Sequence, residues 1–403
     1  MTWLVDRFAL VRAIVPVWSS MRQMGAASVH VIIAVARPWS GHAAATGKAY
    51  RGRMSEHASH DLSELRRRIG DTSQLVSTRA VRLTDGNEDG VRAIDARAAG
   101  GLSAMILADR GLDLGAVWAA GQQVGWQSTT GAVHPAYFHA DDWLRSFHGG
   151  MLTTCGLQNV GLPSDDEGVS HGLHGRISHI AARNVTHRVV EQEGLLVAEV
   201  AGEMRETDVF GADLLLRRRI RLPMDEAVLY VDDEIVNQGH APAGLMLLYH
   251  VNVGYPVVAD GAQLITPAAE VTPRDDGAAR AMAERTDFPP PEDGFAERVY
   301  RHELEPTVAP TVSASIVNPD FEPTDGIGLT VSWDPRALPR MWQWRMLGPG
   351  MYLTGLEPAN CDLAGRAAER EAGTLQLLGP GESFASGISI RVSMGAAARA
   401  LIG

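Results

Sequence analysis

Residues 214–222 read LLLRRRIRL, a stretch in which apolar and charged side chains alternate over its second half. An extended chain sends successive side chains to opposite faces, so this period of two predicts a β-strand with one buried face. We interpret the arginine run at 217–219 as part of a solvated sheet face rather than as a site for a polyanion. The two predicted faces are Leu216, Ile220 and Leu222 on one side and Arg217, Arg219 and Arg221 on the other.

Short strand patterns of this kind recur along the chain, separated by turn sequences such as Asp89-Gly90 and Asp260-Gly261. A short helix is predicted only near its start, from Asp61 to about Gly70. Many short strands without long helices between them indicate an all-β sandwich or barrel, which can exceed about 200 residues as one domain. The other predicted strands are 104–107, 196–201, 228–236, 245–251, 311–317, 328–333, 352–356 and 388–392.

The N-terminal region differs in charge from the rest of the chain. Residues 1–53 contain one acidic residue, Asp6, among seven basic ones. The apolar run at 29–36 is too short to span a bilayer, although it could be the core of an export signal. We favour a true start at Met54 and expect residues 1–60 to be disordered or a spurious extension. One domain is predicted over 61–396, followed by a tail over 397–403.

The overall charge narrows the classes of partner. A net charge of −12 offers no basic surface that could neutralise phosphates, so we expect no nucleic-acid partner. We also expect no membrane association and a cytoplasmic location. The two cysteines, Cys155 and Cys361, lie in apolar settings without CxxC spacing and are predicted to be reduced, buried thiols. A disulfide or a catalytic thiol remains the alternative.

Histidines suggest chemistry in the segment HGLHG at residues 171–175. Two imidazoles three residues apart, among glycines, could ligate a metal. However, an HxxH pair in a turn with no neighbouring cysteine or carboxylate cluster is a weak zinc signal. A structural role for both His171 and His174 also stays open. We favour hydrogen bonding or catalysis by at least one of them, and we expect neither a metal nor a cofactor.

Two further candidates lie on apolar strands far downstream. His250 follows the run LMLLY, where a lone histidine is by pattern more often a satisfied core residue than a catalyst. Glu357, in TGLEP, is costly to bury unpaired and must reach a pocket, a partner or water. The charged turn DRGLD at 109–113 is either a hairpin or a polar clamp for hydroxyl groups.

Five motifs in sequence order carry a resemblance to a known superfamily. From about Leu65 to Ser393 the chain resembles the galactose mutarotase-like superfamily. Within it, the chain is most similar to the bacterial aldose 1-epimerase-like branch that includes deoxyribose mutarotases. The motifs are DRGLDLG at 109–115, GGMLTTCGL at 149–157, GLHGRIS at 172–178, LYHVNVGYP at 248–256 and GLEPAN at 355–360.

The resemblance implies a β-supersandwich of large antiparallel sheets with few short helices and a sugar site on a concave sheet face. It implies that His250 is the general acid that protonates the ring oxygen. Glu357 would be the general base that takes the proton of the anomeric hydroxyl, and His174 the second active-site histidine. Further substrate-binding candidates are Arg110, Asp113, His171, Arg176 and Asn252, with His171 competing with His174 for its role.

The resemblance and the residues together predict an isomerase, an aldose 1-epimerase acting on a free monosaccharide by ring opening and closure. Acid and base must hold opposite protonation states, so we expect His250 to be at least partly cationic and Glu357 ionised at neutral pH. A non-catalytic sugar-binding protein, or another carbohydrate lyase or isomerase on the same scaffold, remains the alternative. The sequence does not specify the sugar or the oligomeric state.

Overall fold

The computed structural model describes residues 62–304 and 307–403, so the predictions for residues 1–60 lie outside the described residues. Helices are few and short in this part of the chain. No described helix is long and apolar enough to cross a membrane. The α-helices are α1 (Leu62–Arg66), α2 (Asp276–Arg280), α3 (Arg366–Glu371) and α4 (Ala396–Arg399).

Strands make up about half of the described chain. The predicted strand at 214–222 and each of the eight further strands predicted from the sequence overlap an observed one. In chain order they are β1 (Val76–Arg82), β2 (Arg92–Ala98), β3 (Leu102–Leu107), β4 (Asp113–Ala119), β5 (Gln122–Gln123), β6 (Leu152–Leu157), β7 (Ser164–Asp166), β8 (Val169–His171), β9 (Arg183–Gln192), β10 (Leu195–Thr207) and β11 (Asp213–Pro223). They continue with β12 (Val228–Asn237), β13 (Ala243–Gly254), β14 (Gln263–Ile265), β15 (Ala268–Pro273), β16 (Arg298–Leu304), β17 (Val312–Asn318), β18 (Ile327–Trp333), β19 (Arg340–Gly348), β20 (Met351–Ala359), β21 (Gln376–Leu378) and β22 (Ser383–Met394).

Two large antiparallel sheets form the body. The first has twelve strands in the order β1-β2-β3-β4-β6-β13-β20-β19-β16-β15, with β5 added to β4 and β21 to β13. The second has eight strands in the order β14-β17-β18-β22-β12-β11-β10-β9, and β7 pairs with β8 alone. The predicted all-β sandwich of large antiparallel sheets is therefore confirmed.

Apolar side chains of both sheets form a shared core. Leu216 and Ile220 on β11 and Leu247 and Val251 on β13 are fully buried members of it. Burial of side chains of this size stabilises the fold by roughly 1.5–3 kcal/mol each. The predicted boundary at residue 396 falls at the first residue of α4, which buries Ala398 beside β18 and β22.

Arg218, the middle residue of the arginine run that was interpreted as solvated, is instead buried. It shares the inner face with Leu216 and Ile220, and its side chain is fully buried. Its guanidinium lies 2.7 Å from carboxylate oxygens of both Asp113 and Asp233. These partners allow the charge to be buried, because an unpaired charge in the core would be prohibitively costly.

Both cysteines are free and buried, as predicted. Burial raises the pKa of the Cys155 thiol well above its ordinary value, and the pKa of Cys361 is also raised. Both therefore stay protonated at neutral pH, which is opposite to the state that a catalytic thiol requires.

Candidate active site

The centre of the first sheet brings His250 and Glu357 together. Strands β13 and β20 pair antiparallel with Leu248 opposite Ala359 and Val251 opposite Leu356, and this register sets His250 opposite Glu357. Residues opposite one another in antiparallel strands present their side chains on the same face. Two motifs more than a hundred residues apart in sequence thus meet across one strand pair.

The two side chains are in direct contact. His250 Nε2 lies 3.3 Å from Glu357 Oε1, and only 5% of His250 and 2% of Glu357 is exposed. Neither His250 Nδ1 nor Glu357 Oε1 makes a hydrogen bond within the described residues. Buried polar atoms in folded proteins are nearly always paired, so unpaired atoms at this position favour a ligand-binding role.

His174 approaches the pair from the loop after β8. Its backbone φ is +54°, a left-handed value that is uncommon for residues other than glycine. Gly175 follows with φ +69°, and a Cβ there would lie 2.3 Å from the carbonyl oxygen of Gly156. This tight turn holds the His174 ring 6.1 Å from that of His250, in an edge-to-face arrangement.

A backbone contact fixes the tautomer of His174. Its Nδ1 accepts a hydrogen bond from the Gly161 N–H at 3.3 Å, and burial lowers the pKa of His174 to about 4. A neutral imidazole that accepts at Nδ1 carries its hydrogen on Nε2. His174 therefore offers one N–H donor, which suits a hydroxyl or ring oxygen better than it suits a metal ion.

Aromatic rings surround the three polar side chains. Phe147 lies 5.3 Å and Trp344 5.4 Å from the His250 ring, measured between centroids. Trp143 lies 4.9 Å from His174 and stacks on Phe147. Such rings exclude water and present faces on which the C–H surface of a sugar can pack.

Burial governs the protonation of the pair. It raises the pKa of Glu357 to about 8 and lowers the pKa of His250 to about 3. The predicted state, with His250 partly cationic and Glu357 ionised, is therefore not the one that burial favours in the free site. The buried environment instead keeps one proton on Glu357 and leaves His250 neutral, a consequence of desolvation that the motifs do not encode.

Comparison with known proteins gives the family of the chain. Residues 88–392 match the family described as Domain of unknown function (DUF4432). The chain belongs to the DUF4432 family. No curated protein matches the sequence.

Solved structures show that this DUF4432 protein has the galactose mutarotase-like fold. A candidate aldose 1-epimerase from Klebsiella pneumoniae is 22% identical, with a TM-score of 0.75 over 81% of this chain and 90% of the other. A galactose 1-epimerase from Lactobacillus acidophilus is 15% identical, with a TM-score of 0.54 over 79% and 99%. A galactose mutarotase-like protein from Clostridium acetobutylicum is 13% identical, with a TM-score of 0.53 over 80% and 99%.

The DUF4432 site has a charged rim that the sequence motifs did not predict. Glu297 accepts a hydrogen bond from the Trp344 indole N–H at 3.1 Å and forms an ion pair with Arg274 at 2.8 Å. The charge of Glu297 raises the pKa of both His174 and Glu357: it opposes the effect of burial on His174 and adds to the effect of burial on Glu357. Both rim residues flank the polar, proline-rich segment between β15 and β16.

Three further residues, Asn252, Arg176 and His171, were also predicted to bind the substrate. Asn252, two residues after His250 on β13, is fully buried, and its Oδ1 has no hydrogen-bond partner in the described chain. Arg176 donates to Thr207 O and Asp208, which ties the His174 loop to β10. His171 is half-buried at the end of β8, and the structure brings His174, not His171, into ring contact with His250.

Arg110 and Asp113 are occupied by protein partners. Arg110 is fully buried and donates to the carbonyl oxygens of Val133, Ser146 and Ser178. Asp113 accepts from Thr154 and pairs with Arg218 between the sheets. The structure does not bring either side chain into the His–Glu cluster. Nor do residues 62–304 and 307–403 contain a group of three histidines, cysteines or carboxylates arranged to hold a metal.

Proposed function

We propose that this protein is an aldose 1-epimerase that interconverts the α and β anomers of a free monosaccharide. The observation that carries the proposal is the contact between His250 and Glu357. An imidazole and a carboxyl group lie 3.3 Å apart, buried, with polar atoms that no described protein group satisfies. Anomer exchange requires one proton donor and one proton acceptor next to the same carbon, and this pair supplies both.

One proton shared by the pair is sufficient for the reaction. Moving it from Glu357 to His250 converts the neutral pair into imidazolium and carboxylate without exchange with solvent. His250 then gives its proton to the ring oxygen while Glu357 takes the proton of the anomeric hydroxyl. The bond between C1 and the ring oxygen breaks, and a carbonyl forms at C1. Rotation about C1–C2 and the reverse transfers close the ring as the other anomer.

The surrounding groups have supporting roles in this proposal. The Nε2–H of His174 stabilises charge that develops on an oxygen of the substrate, as preorganised donors do in other enzymes. Trp344 and Phe147 pack against the C–H face of the sugar and keep water from the reacting atoms. Arg274, the cation at the rim, is already held by Glu297 and Asp275, which favours an uncharged sugar over a sugar phosphate.

The comparisons support the proposal at the level of the fold. Two of the solved structures with this fold carry the name of aldose 1-epimerase or galactose 1-epimerase. A cytoplasmic location remains a prediction from the sequence, in keeping with two free buried thiols.

Saturation-transfer NMR of anomer exchange across a panel of neutral aldoses tests the proposal. At least one sugar should exchange faster than in buffer, and Glu357→Gln and His250→Asn should each reduce that rate by roughly 10²–10⁴-fold. His302→Asn is the matched control, because His302 is a buried histidine of the same sheet whose Nε2 contacts Gln343, away from the pair. It should keep the wild-type rate.

Two outcomes would overturn the proposal. If no aldose exchanges faster than in buffer although a sugar binds, the protein is a sugar-binding protein rather than an epimerase. If Glu357→Gln and His250→Asn both keep the full rate, the pair is not the catalytic centre.

A further inference from the structure

Gly355 lies two residues before Glu357 on β20 and carries no side chain on the face where the carboxyl group lies. A Cβ built at Gly355 would stand 2.2 Å from Glu357 Oε1 and 3.1 Å from the carboxyl carbon. Side-chain atoms of real residues do not approach so closely. The carboxyl group of Glu357 therefore lies directly over the backbone of Gly355, in space that any other residue would fill.

The space over the backbone of Gly355 is a hollow that neighbouring strands of the sheet enclose. In the sheet Gly355 lies opposite Asn252 of β13 and opposite Trp344 of β19. The Cβ of Trp344 would be 3.2 Å from an added Cβ, so that side of the hollow is also closed. The oxygen that rests in the hollow, Glu357 Oε1, is the same atom that contacts His250 Nε2 at 3.3 Å.

We propose that Gly355 is a positioning residue, whose missing side chain lets the Glu357 carboxyl group lie against His250. The role rests on the proposed epimerase function, because it concerns the base of that reaction. A methyl group at this position must push the carboxyl group out of the hollow and away from the imidazole. Since positioned acids and bases act only within hydrogen-bond reach of the reacting proton, the displacement should impair chemistry more than binding.

The kinetic test is Gly355→Ala in the full chain. We expect kcat to fall by roughly 10–10²-fold, with KM changed much less, because a positioned base contributes roughly 10²–10⁴-fold in total. Gly348→Ala on β19 is the matched control, since its added Cβ would meet only ordinary contacts at 3.8 and 3.9 Å. The control should leave both constants unchanged. Full kcat in Gly355→Ala would overturn the inference.

A melting-temperature cycle tests the same contact without any assumption about the reaction. Gly355→Ala should lower the melting temperature when Glu357 is present. In the Glu357→Ala background the same substitution should be neutral or stabilising, because alanine suits a strand better than glycine does and no carboxyl group remains to clash. Equal shifts in the two backgrounds would mean that Gly355 does not position Glu357.

The kinetic test and the melting-temperature cycle together distinguish failure of the positioning role of Gly355 from failure of the proposed epimerase function. If no sugar is epimerised but the melting cycle is strongly non-additive, the proposed function fails and the contact stands. If exchange is fast in Gly355→Ala and the cycle is additive, the positioning role fails and the proposed function stands.

Discussion

Buried polar side chains on the two faces of strand β13 differ in whether protein groups satisfy their hydrogen bonds. Tyr249 points between the sheets, where its hydroxyl donates to Asp233 at 2.8 Å. Asp233 also binds Arg218 through two hydrogen bonds of 2.9 and 2.7 Å, and Arg218 reaches Asp113 at 2.7 Å. His250, the next residue, points to the other face. There it contacts the carboxyl group of Glu357 and several aromatic rings, and both side chains keep an atom that has no hydrogen-bond partner among the described residues.

The difference distinguishes buried polar groups that stabilise the fold from buried polar groups that form a candidate ligand site. Between the sheets, Asp233 and Asp113 flank the buried arginine. Although burial opposes the charge of Arg218, these carboxylates more than offset that effect and raise its pKa. On the other face burial acts with little compensation and drives His250 and Glu357 toward their neutral forms. Protein partners satisfy the polar groups between the sheets, whereas the unpaired atoms of His250 and Glu357 lie on one acid–base pair and make it a candidate ligand site.

The largest expected effect comes from Arg218→Met. The substitution leaves Asp113 and Asp233 buried without their cation, and breaking a buried ion pair in this way costs about 3–5 kcal/mol. We expect the free energy of unfolding, measured by urea denaturation, to fall by that amount while kcat of the folded protein is unchanged. Wild-type stability in Arg218→Met would mean that the network does not hold the sheets together.

Tyr249→Phe tests the same face if Arg218→Met does not fold. It removes one hydrogen bond to a charged acceptor and should cost about 2 kcal/mol, with no change in anomer exchange. A loss of exchange in Tyr249→Phe with stability intact would contradict the separation of the two faces, because Tyr249 and His250 are adjacent in sequence.

On the face of the sheet that carries His250 and Glu357, the raised pKa of Glu357 predicts that Glu357→Gln gains stability over wild type as pH rises. Folded Glu357 keeps its proton up to about pH 8, whereas the unfolded chain releases it near pH 4.5. The folded state therefore binds more protons between these values, so the contribution of Glu357 to stability is present at low pH and is lost as pH rises through about 8. Glutamine does not titrate and avoids that loss. We expect Glu357→Gln to become more stable than wild type as pH rises, by up to about 4 kcal/mol.

Urea denaturation of both proteins across this pH range measures the difference. His250 contributes the reverse dependence, because its folded pKa is lowered to about 3 and its contribution is lost as pH falls from about 6.5. That term is common to the two proteins and cancels in their difference. A pH-independent difference would contradict the proposed protonated state of Glu357.

The sequence predicted the parts of the molecule that depend on local pattern. Alternation and turn residues identified the strands. The motifs contained His250 and Glu357, which meet across β13 and β20, and His174, whose ring lies 6.1 Å from that of His250. Arg218 was missed because a run of arginines suggests a solvated face. Its burial depends on Asp113 and Asp233, which come from other strands and were not visible as its partners.

Residues that depend on tertiary contacts were assigned less well. Arg110 and Asp113 were predicted to line the site, yet their partners are backbone carbonyls, Thr154 and Arg218. Glu297 was not predicted, because a single glutamate next to a long loop carries no pattern. The protonation of His250 could not be read from a motif, since desolvation depends on the aromatic rings that the fold brings around it.

The smallest expected effect tests whether the charge of Glu297 changes the protonation of the His250–Glu357 pair. Glu297 raises the pKa of Glu357, so Glu297→Gln should lower that pKa and move the alkaline limb of the kcat/KM profile to lower pH. Glutamine can still accept from the Trp344 indole, so the ring should stay in place. Because Glu297 is half exposed, we expect a shift of only a fraction of a pH unit, larger at low salt than at high salt. Glu303→Gln, on the neighbouring strand β16, should cause no shift. An unchanged profile in Glu297→Gln at low salt would mean that the rim does not tune the pair, and that burial alone sets its protonation.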